Sequence, residues 1–415
     1  MRRIRIGSAF GIPIQLDFTF LLVLPLFAWI IGAQVGQSVE LMNEVWGAGI
    51  PIEPLSTGAF PYVLGITAAV GLFACVVLHE LGHSVVAMRF GFPISSITLW
   101  LFGGIAQLEE MPEDWKQELF IAIAGPAVSV ALAGISYAGF WLVPTGEAVG
   151  IASVKFLLGY FALMNVALAI FNMLPGFPMD GGRVLRALLA RTRPFARATQ
   201  IAAEVGKLFA LLLGLFGLFG GGGLFLVAIA FFIYIGASSE AQMTTMKAAF
   251  EGVTVRDVMT PADRVQSVDP DMSVAELMEL MFRERHTGFP VVENDEIVGL
   301  VTLEDARAVR EVEREAFTVS DVMTTDLRTI GPDEDAMAAL TRLQENNIGR
   351  LLVMEAGEFA GLLTRTDLMT ALDIIKQSGR DRLVGGGSFG NRTVPTTGRD
   401  ADDDDISKED RRFED

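Results

Sequence analysis

Two histidines and a glutamate within five positions, His79-Glu80-Leu81-Gly82-His83, are the residues of this chain best suited to do chemistry. On a helix, His79 and His83 stand one turn apart on a shared face, so two imidazoles can grip one Zn²⁺ while Glu80 reaches a water on the metal. The chain has 3 histidines, and two of them are here. The motif ends an apolar run, 63–77, and an ionisable group at membrane depth is costly enough to mark function by default. The competing reading is a chance pentapeptide on a packed helix face.

Hydrolytic zinc commonly takes three protein donors and keeps a fourth position open for water, so two histidines leave the site one short. Asp180 is the obvious third, in the segment Asn172-Met173-Leu174-Pro175-Gly176-Phe177-Pro178-Met179-Asp180-Gly181-Gly182. Pro175 and Pro178 break a helix there and let a carboxylate face a polar cavity rather than lipid. Taken alone, Asp180 reads equally well as a helix cap before glycine. Cys75, one turn before His79, is read as a small apolar filler.

The elements that must position these groups are apolar helices. With 51% hydrophobic residues in 415 positions, the chain is too long for one ordinary domain and too apolar for an ordinary soluble protein. About six spans are expected, at 18–32, 62–88, 119–143, 156–174, 201–219 and 224–236. The first follows Arg2, Arg3 and Arg5 in the manner of a signal peptide, but its length favours retention. Asp17 at its start reads as an interface marker rather than a ligand. Residues 34–61 read as a polar external loop with Glu40, Glu44 and Glu53 and no Lys or Arg. Arg183, Arg186, Arg191, Arg193 and Arg197 place the end of the fourth span inside, together with both termini. Glu204 and Lys207 are spaced to pair on one helix face. Gly125-Pro126 in the third span marks a kink or a close helix contact. Residues 94–108 alternate like a short β-hairpin about Gly103-Gly104, too brief to span as a helix.

Through Phe250 the chain carries 13 basic and 14 acidic residues, and the remainder carries 19 and 36. A part that acidic does not seek nucleic acid or anionic lipid; its charge reads as a solvated surface. It also repeats itself. Val255-Arg256-Asp257-Val258-Met259-Thr260 returns as Val319-Ser320-Asp321-Val322-Met323-Thr324, and Gly299-Leu300-Val301-Thr302-Leu303-Glu304-Asp305 as Gly361-Leu362-Leu363-Thr364-Arg365-Thr366-Asp367. A period of roughly 60 residues with helix and strand signals in each copy means two paired α/β modules. The expected organisation is a helical membrane bundle with a short hairpin at 1–248, α/β modules at 252–310 and 316–378, and a disordered acidic tail at 379–415. The single cysteine excludes an internal disulfide framework.

The membrane half resembles the site-2 protease family of intramembrane zinc metalloproteases. That family's H-E-x-x-H matches His79, Glu80 and His83, and its downstream N-x-x-P and D-G elements match Asn172, Pro175, Asp180 and Gly181. The repeated half resembles tandem CBS domains, whose T-x-x-D positions match Thr302 with Asp305 and Thr364 with Asp367. The resemblance implies an endopeptidase that cleaves transmembrane segments of single-span substrates, with His79, His83 and Asp180 on Zn²⁺, Glu80 as base and Asn172 helping to hold the oxyanion. It also implies an adenine nucleotide (ATP, ADP or AMP) at the CBS pair, a homodimer through those domains, and a multi-pass protein of the cell membrane with cytoplasmic CBS domains. The T-x-x-D pairs read equally as helix caps; Arg307, Arg350 and Arg365 are cations near enough in sequence to serve a phosphate. The rival classes are a CBS-gated transporter or channel, which needs a polar path across several spans, and a non-catalytic scaffold, against which Glu80 speaks.

Overall fold

The structure is a computed structural model that describes residues 4–100, 103–108, 112, 114–221, 223–294 and 296–384. The chain divides into two compact units at Glu251–Gly252.

The first unit opens with strands β1 (Ile4–Ala9) and β2 (Ile12–Leu16), an antiparallel hairpin turned by Phe10 and Gly11, both at positive φ. Helices α1 (Phe18–Ala33), α2 (Val35–Trp46), α3 (Glu53–Ser56) and α4 (Phe60–Arg89) follow, then β3 (Ile94–Trp100) and β4 (Gly103–Leu108). The hairpin expected at 94–108 is present, but as half of a four-stranded sheet in the order β1-β2-β3-β4, with β3 parallel to β2 and β4 at an edge. The N-terminal pair was not expected; the alternation of Ile12, Ile14 and Leu16 is its strand signal, in a stretch too short and too close to Arg2, Arg3 and Arg5 to stand apart from a charged leader. The unit continues with α5 (Trp115–Leu142), α6 (Val149–Asn172), α7 (Asp180–Ala190), α8 (Phe195–Phe219) and α9 (Gly223–Ala249).

Among the described residues, five helices are long and apolar enough to cross a membrane: α4, α5, α6, α8 and α9. A sixth span exists if α1 and α2, bent by 56° at their junction, count as one. Asp17 caps α1, its Oδ1 accepting from Thr19 N at 3.0 Å and Thr19 Oγ1 at 2.8 Å. The loop expected at 34–61 is instead largely helical. Val35, Val39 and Met42 form a buried stripe at helical spacing and join a core with Leu55, Leu64, Phe140 and Phe156. Glu204 and Lys207 do not pair; the Lys207 ammonium lies 5.9 Å from the Tyr234 ring centroid.

In the second unit each repeat lends its opening segment to the other. After α10 (Val255–Val258), strand β5 (Thr260–Pro261) leaves the first repeat to pair with the second repeat's sheet. The first repeat continues as α11 (Val274–Glu284), β6 (Gly288–Glu293), β7 (Glu296–Thr302) and α12 (Leu303–Ala308). The second is α13 (Val319–Val322), β8 (Thr329–Ile330), α14 (Ala336–Glu345), β9 (Arg350–Glu355), β10 (Glu358–Thr364) and α15 (Arg365–Val384). Its sheet runs β5-β10-β9-β8, while Thr324 bridges back to Leu300 in β7 and Val319 packs with Leu277, Phe289 and Val301. The tail expected to be disordered lies outside the described residues from 385 onward.

The repeated V-x-D-V-M-T segments are reciprocal helix caps. Asp257 Oδ2 accepts from the backbone N–H and hydroxyl of Thr254, and Asp321 Oδ2 from those of Thr318, which holds both carboxyls below the usual range. A depressed carboxyl stabilises the fold while ionised, so this contribution is complete at neutral pH and lost as pH falls through the folded pKa. Thermal unfolding of the second unit is therefore expected to be insensitive to pH near neutrality and to weaken below about pH 4. In the Asp257→Asn/Asp321→Asn double variant the acid limb should flatten, and an unchanged limb would assign it to other carboxylates.

Candidate metal centre and the cleft between the repeats

The chain folds so that residues 97 and 101 positions apart meet. α4 is 30 residues long, about 45 Å, and carries His79 and His83 on one buried face. α6 ends at Asn172, and the chain turns tightly through residues 173–179 before α7 starts at Asp180. That turn depends on glycine: a Cβ at Gly181 would strike the carbonyls of Met173 and Leu174, and one at Gly182 the backbone of Gly176. Asp180 Oδ2 thereby lies 3.2 Å from His79 Nε2 and 3.1 Å from His83 Nε2, with the two nitrogens 3.2 Å apart. Among the described residues these three form the one such group able to hold a metal ion, and all three are buried.

The surroundings decide how that group is protonated. His83 Nδ1 is 2.7 Å from Ile121 O, a carbonyl that only accepts, so His83 donates there and a neutral ring presents a lone pair at Nε2. His79 Nδ1 is 2.9 Å from Ser129 Oγ. With Ser129 Oγ accepting from His79 Nδ1, both Nε2 atoms and Asp180 Oδ2 turn lone pairs toward one point about 3 Å from each other, an arrangement that a cation between them satisfies. Donors on a tetrahedral Zn²⁺ at about 2.0–2.1 Å stand roughly 3.3–3.4 Å apart, so this set fits zinc with a small expansion. Two nitrogens and one carboxylate oxygen are the donor chemistry of a hydrolytic rather than a structural site.

Glu80 is half-buried on the turn between the histidines, and Gly104 of β4 lies against it so closely that a Cβ there would be 2.6 Å from Glu80 Cγ. The edge strand thus runs directly beside the motif. Asn172 is placed at the last residue of α6, where its Nδ2 donates to Leu168 O at 3.0 Å. Cys75 is partly buried and outside the donor group.

What the sequence reading missed is the role of α5. Ile121, Gly125 and Ser129 recur every four residues on one buried face and meet the two imidazoles; Gly125 leaves the space His83 occupies, since a Cβ there would overlap the ring. Of the two readings of Gly125-Pro126, the close contact holds: α5 continues through Pro126. Small residues at this spacing were the available signal.

In the second unit a cleft of about 610 Å³ opens between the repeats, lined by Thr287, Asn347, Arg350, Thr364, Arg365 and Asp367 among others. Thr302 and Thr364 both form capping boxes: their hydroxyls donate to Asp305 Oδ2 and Asp367 Oδ2, each at 2.7 Å. Thr364 and Asp367 line the cleft, whereas Thr302, Asp305 and Arg307 are not among its lining residues. Arg350 donates to Thr287 Oγ1 at 2.9 Å, but its Nε and Nη1 are buried without a partner. Burial pushes the Arg350 pKa down, and the charge of Asp305 opposes the shift.

Comparison with known proteins agrees with both halves. Residues 67–150 and 142–213 match the model of Peptidase family M50, and residues 255–311 and 319–374 match that of the CBS domain. A zinc metalloprotease of Methanocaldococcus jannaschii is 33% identical over 374 residues, covering 90% of this chain and 97% of the relative. Stage IV sporulation protein FB of Bacillus subtilis is 34% identical over 149 residues, 36% of this chain and 49% of the relative. The solved site-2 protease from Methanocaldococcus jannaschii is 34% identical with a TM-score of 0.38, covering 58% of this chain and 95% of that one. A likeness running nearly end to end, in a chain with five or six apolar helices and a repeated second half, makes this protein a multi-pass membrane member of peptidase family M50, the metalloproteases of the site-2 protease type, with a tandem pair of CBS domains.

Proposed function

We propose that the protein is an intramembrane zinc endopeptidase that cleaves transmembrane segments of single-span proteins and is adjusted by an adenine nucleotide at its CBS pair. The observation that carries the first part is the convergence of Asp180 with His79 and His83, beside Glu80, on a helix long and apolar enough to cross a membrane. Zinc held there supplies Lewis acidity toward the scissile carbonyl and an acidified water. Glu80 takes the proton and passes it to the departing amine. His79 and His83 stay fixed because Ser129 and Ile121 O hold their Nδ1 atoms. Asn172 serves the oxyanion by turning its Nδ2 away from Leu168 O.

A transmembrane helix shields its peptide bonds with its own hydrogen bonds and must unwind to be cut. β4, the last strand of its sheet among the described residues and beside Glu80, can receive the unwound backbone as an added strand. Ile105→Pro removes a β4 backbone donor and should slow cleavage while zinc content stays unchanged. Full activity in that variant would leave β4 as packing. The overall test is incubation of detergent-solubilised protein with a panel of single-span membrane proteins, alongside zinc analysis; no zinc and no cleavage would favour a transporter or a scaffold.

The nucleotide reading rests on Arg350, which lines a cleft of suitable volume and carries two donors without a partner, as a phosphate site needs. Arg365 adds a second cation on its lining. Titration calorimetry of fragment 252–379 with ATP, ADP and AMP should give saturable heat, weakened about tenfold or more by Arg350→Ala. No heat with any of the three would end this reading. Proteolysis rates that stay flat across saturating nucleotide would leave binding and remove regulation, because a ligand shifts only states that it binds unequally. The excess of arginines at 183–197 supports cytoplasmic CBS domains in a cell-membrane protein. Exposed Phe282 and Val312 are apolar surface that a second copy would cover in a CBS homodimer.

A further inference from the structure

α5 supplies none of the three donors, yet it touches the residues that carry two of them. Ser129 meets His79, and Ile121 O with the gap at Gly125 sets His83. The same buried face continues to Glu118, three residues before Ile121. Glu118 Oε1 accepts from Arg186 Nε at 2.7 Å and also pairs with Nη2. Arg186 lies on α7, six residues and about 9 Å beyond Asp180. Its Nη1 donates to Glu240 Oε1 of α9 at 2.5 Å, and its guanidinium sits between the Phe177 and Phe195 rings at 4.9 and 4.8 Å.

Arg186 is 1% exposed and is the largest fully buried side chain among the described residues. Burying a guanidinium and a carboxylate together often stabilises a fold no better than apolar side chains of the same volume, so the geometry that such a pair dictates is a reason for its presence here. The Arg fork is planar and two-sided, and it fixes direction as well as distance. At its start α7 is fixed by the glycine contacts of residues 181–182; without a second anchor it could still pivot about that point and swing Asp180 relative to the imidazoles.

We propose that Arg186 and Glu118 are positioning residues for Asp180, so that one face of α5, Glu118-Ile121-Gly125-Ser129, sets the geometry of all three donors, with Glu240 tying α9 to the same anchor. The inference rests on the metal reading above and reaches beyond it to residues that touch neither metal nor substrate.

The test uses the full-length protein in detergent, with Co²⁺ in place of zinc, because the visible bands of cobalt report donor geometry independently of activity. Arg186→Lys keeps the charge but loses the fork. It is expected to lower Co²⁺ affinity about tenfold or more and to shift the visible bands at temperatures well below its unfolding midpoint. Glu240→Gln, which leaves the Glu118 link intact, should move the bands in the same direction by less. If Arg186→Lys does not fold, the Glu118→Gln/Arg186→Met pair, which removes both charges of the α5–α7 ion pair together, takes its place with the same expectation. Variants that melt earlier but bind Co²⁺ with unaltered affinity and spectrum would reduce the cluster to a structural role and overturn the proposal. An unsubstituted protein that binds no Co²⁺ would instead bring down the metal reading, and this inference with it.

Discussion

Glu80→Gln is expected to cut the cleavage rate by about 10²- to 10⁴-fold while zinc remains near one per chain, because general-base catalysis contributes on that order and the substitution leaves the donors untouched. Asp180→Ala should behave differently. It removes one of three converging acceptors, which stand 3.1 and 3.2 Å from the histidine nitrogens, so zinc and activity should fall together. Parallel metal analysis and single-turnover cleavage on the two variants separate the roles. Equal zinc loss from both would mean that Glu80 holds the metal, and unimpaired cleavage by Glu80→Gln would place the base elsewhere.

The second large effect is expected from a residue with no functional group. Gly125→Ala introduces a methyl where the His83 imidazole lies, so the ring, held at Ile121 O, or the α5 backbone must shift. Displacement of Nε2 should cost tenfold to 100-fold or more in zinc affinity, in the range seen when orienting contacts of a metal ligand are lost. Gly134→Ala on the same helix is the control. No atom lies within 4 Å of a Cβ there, and Ala favours the helix by up to about 1 kcal/mol, so that variant should keep its zinc and unfold no earlier. Zinc titration of the two alanine variants checks the argument, and equal affinities would show that the site relaxes more freely than its packing suggests.

The sequence by itself determined the candidate metal donors and the broad architecture. His79 and His83 at helical spacing, Asp180 after two prolines, the apolar helices and the recurring V-x-D-V-M-T and T-x-x-D segments are local patterns, readable because period, spacing and residue type are properties of neighbours in the chain. It did not reveal the N-terminal hairpin beside β3 or the helix at Val35–Trp46, where short strands and a Gly- and Pro-punctuated stretch resemble loops until a partner surface exists for them. Nor did it reveal that the opening segments of the repeats exchange sheets, since Thr260 and Leu362 pair across about 100 residues. Only the tertiary structure decided that Gly125 is a space for a ring, that Ser129 and Ile121 orient the imidazoles, and that Arg186 joins Glu118 and Glu240. Each of these depends on which faces of α4, α5, α7 and α9 are pressed together, and a glycine, a serine or an arginine carries no mark of its distant partner until packing supplies one.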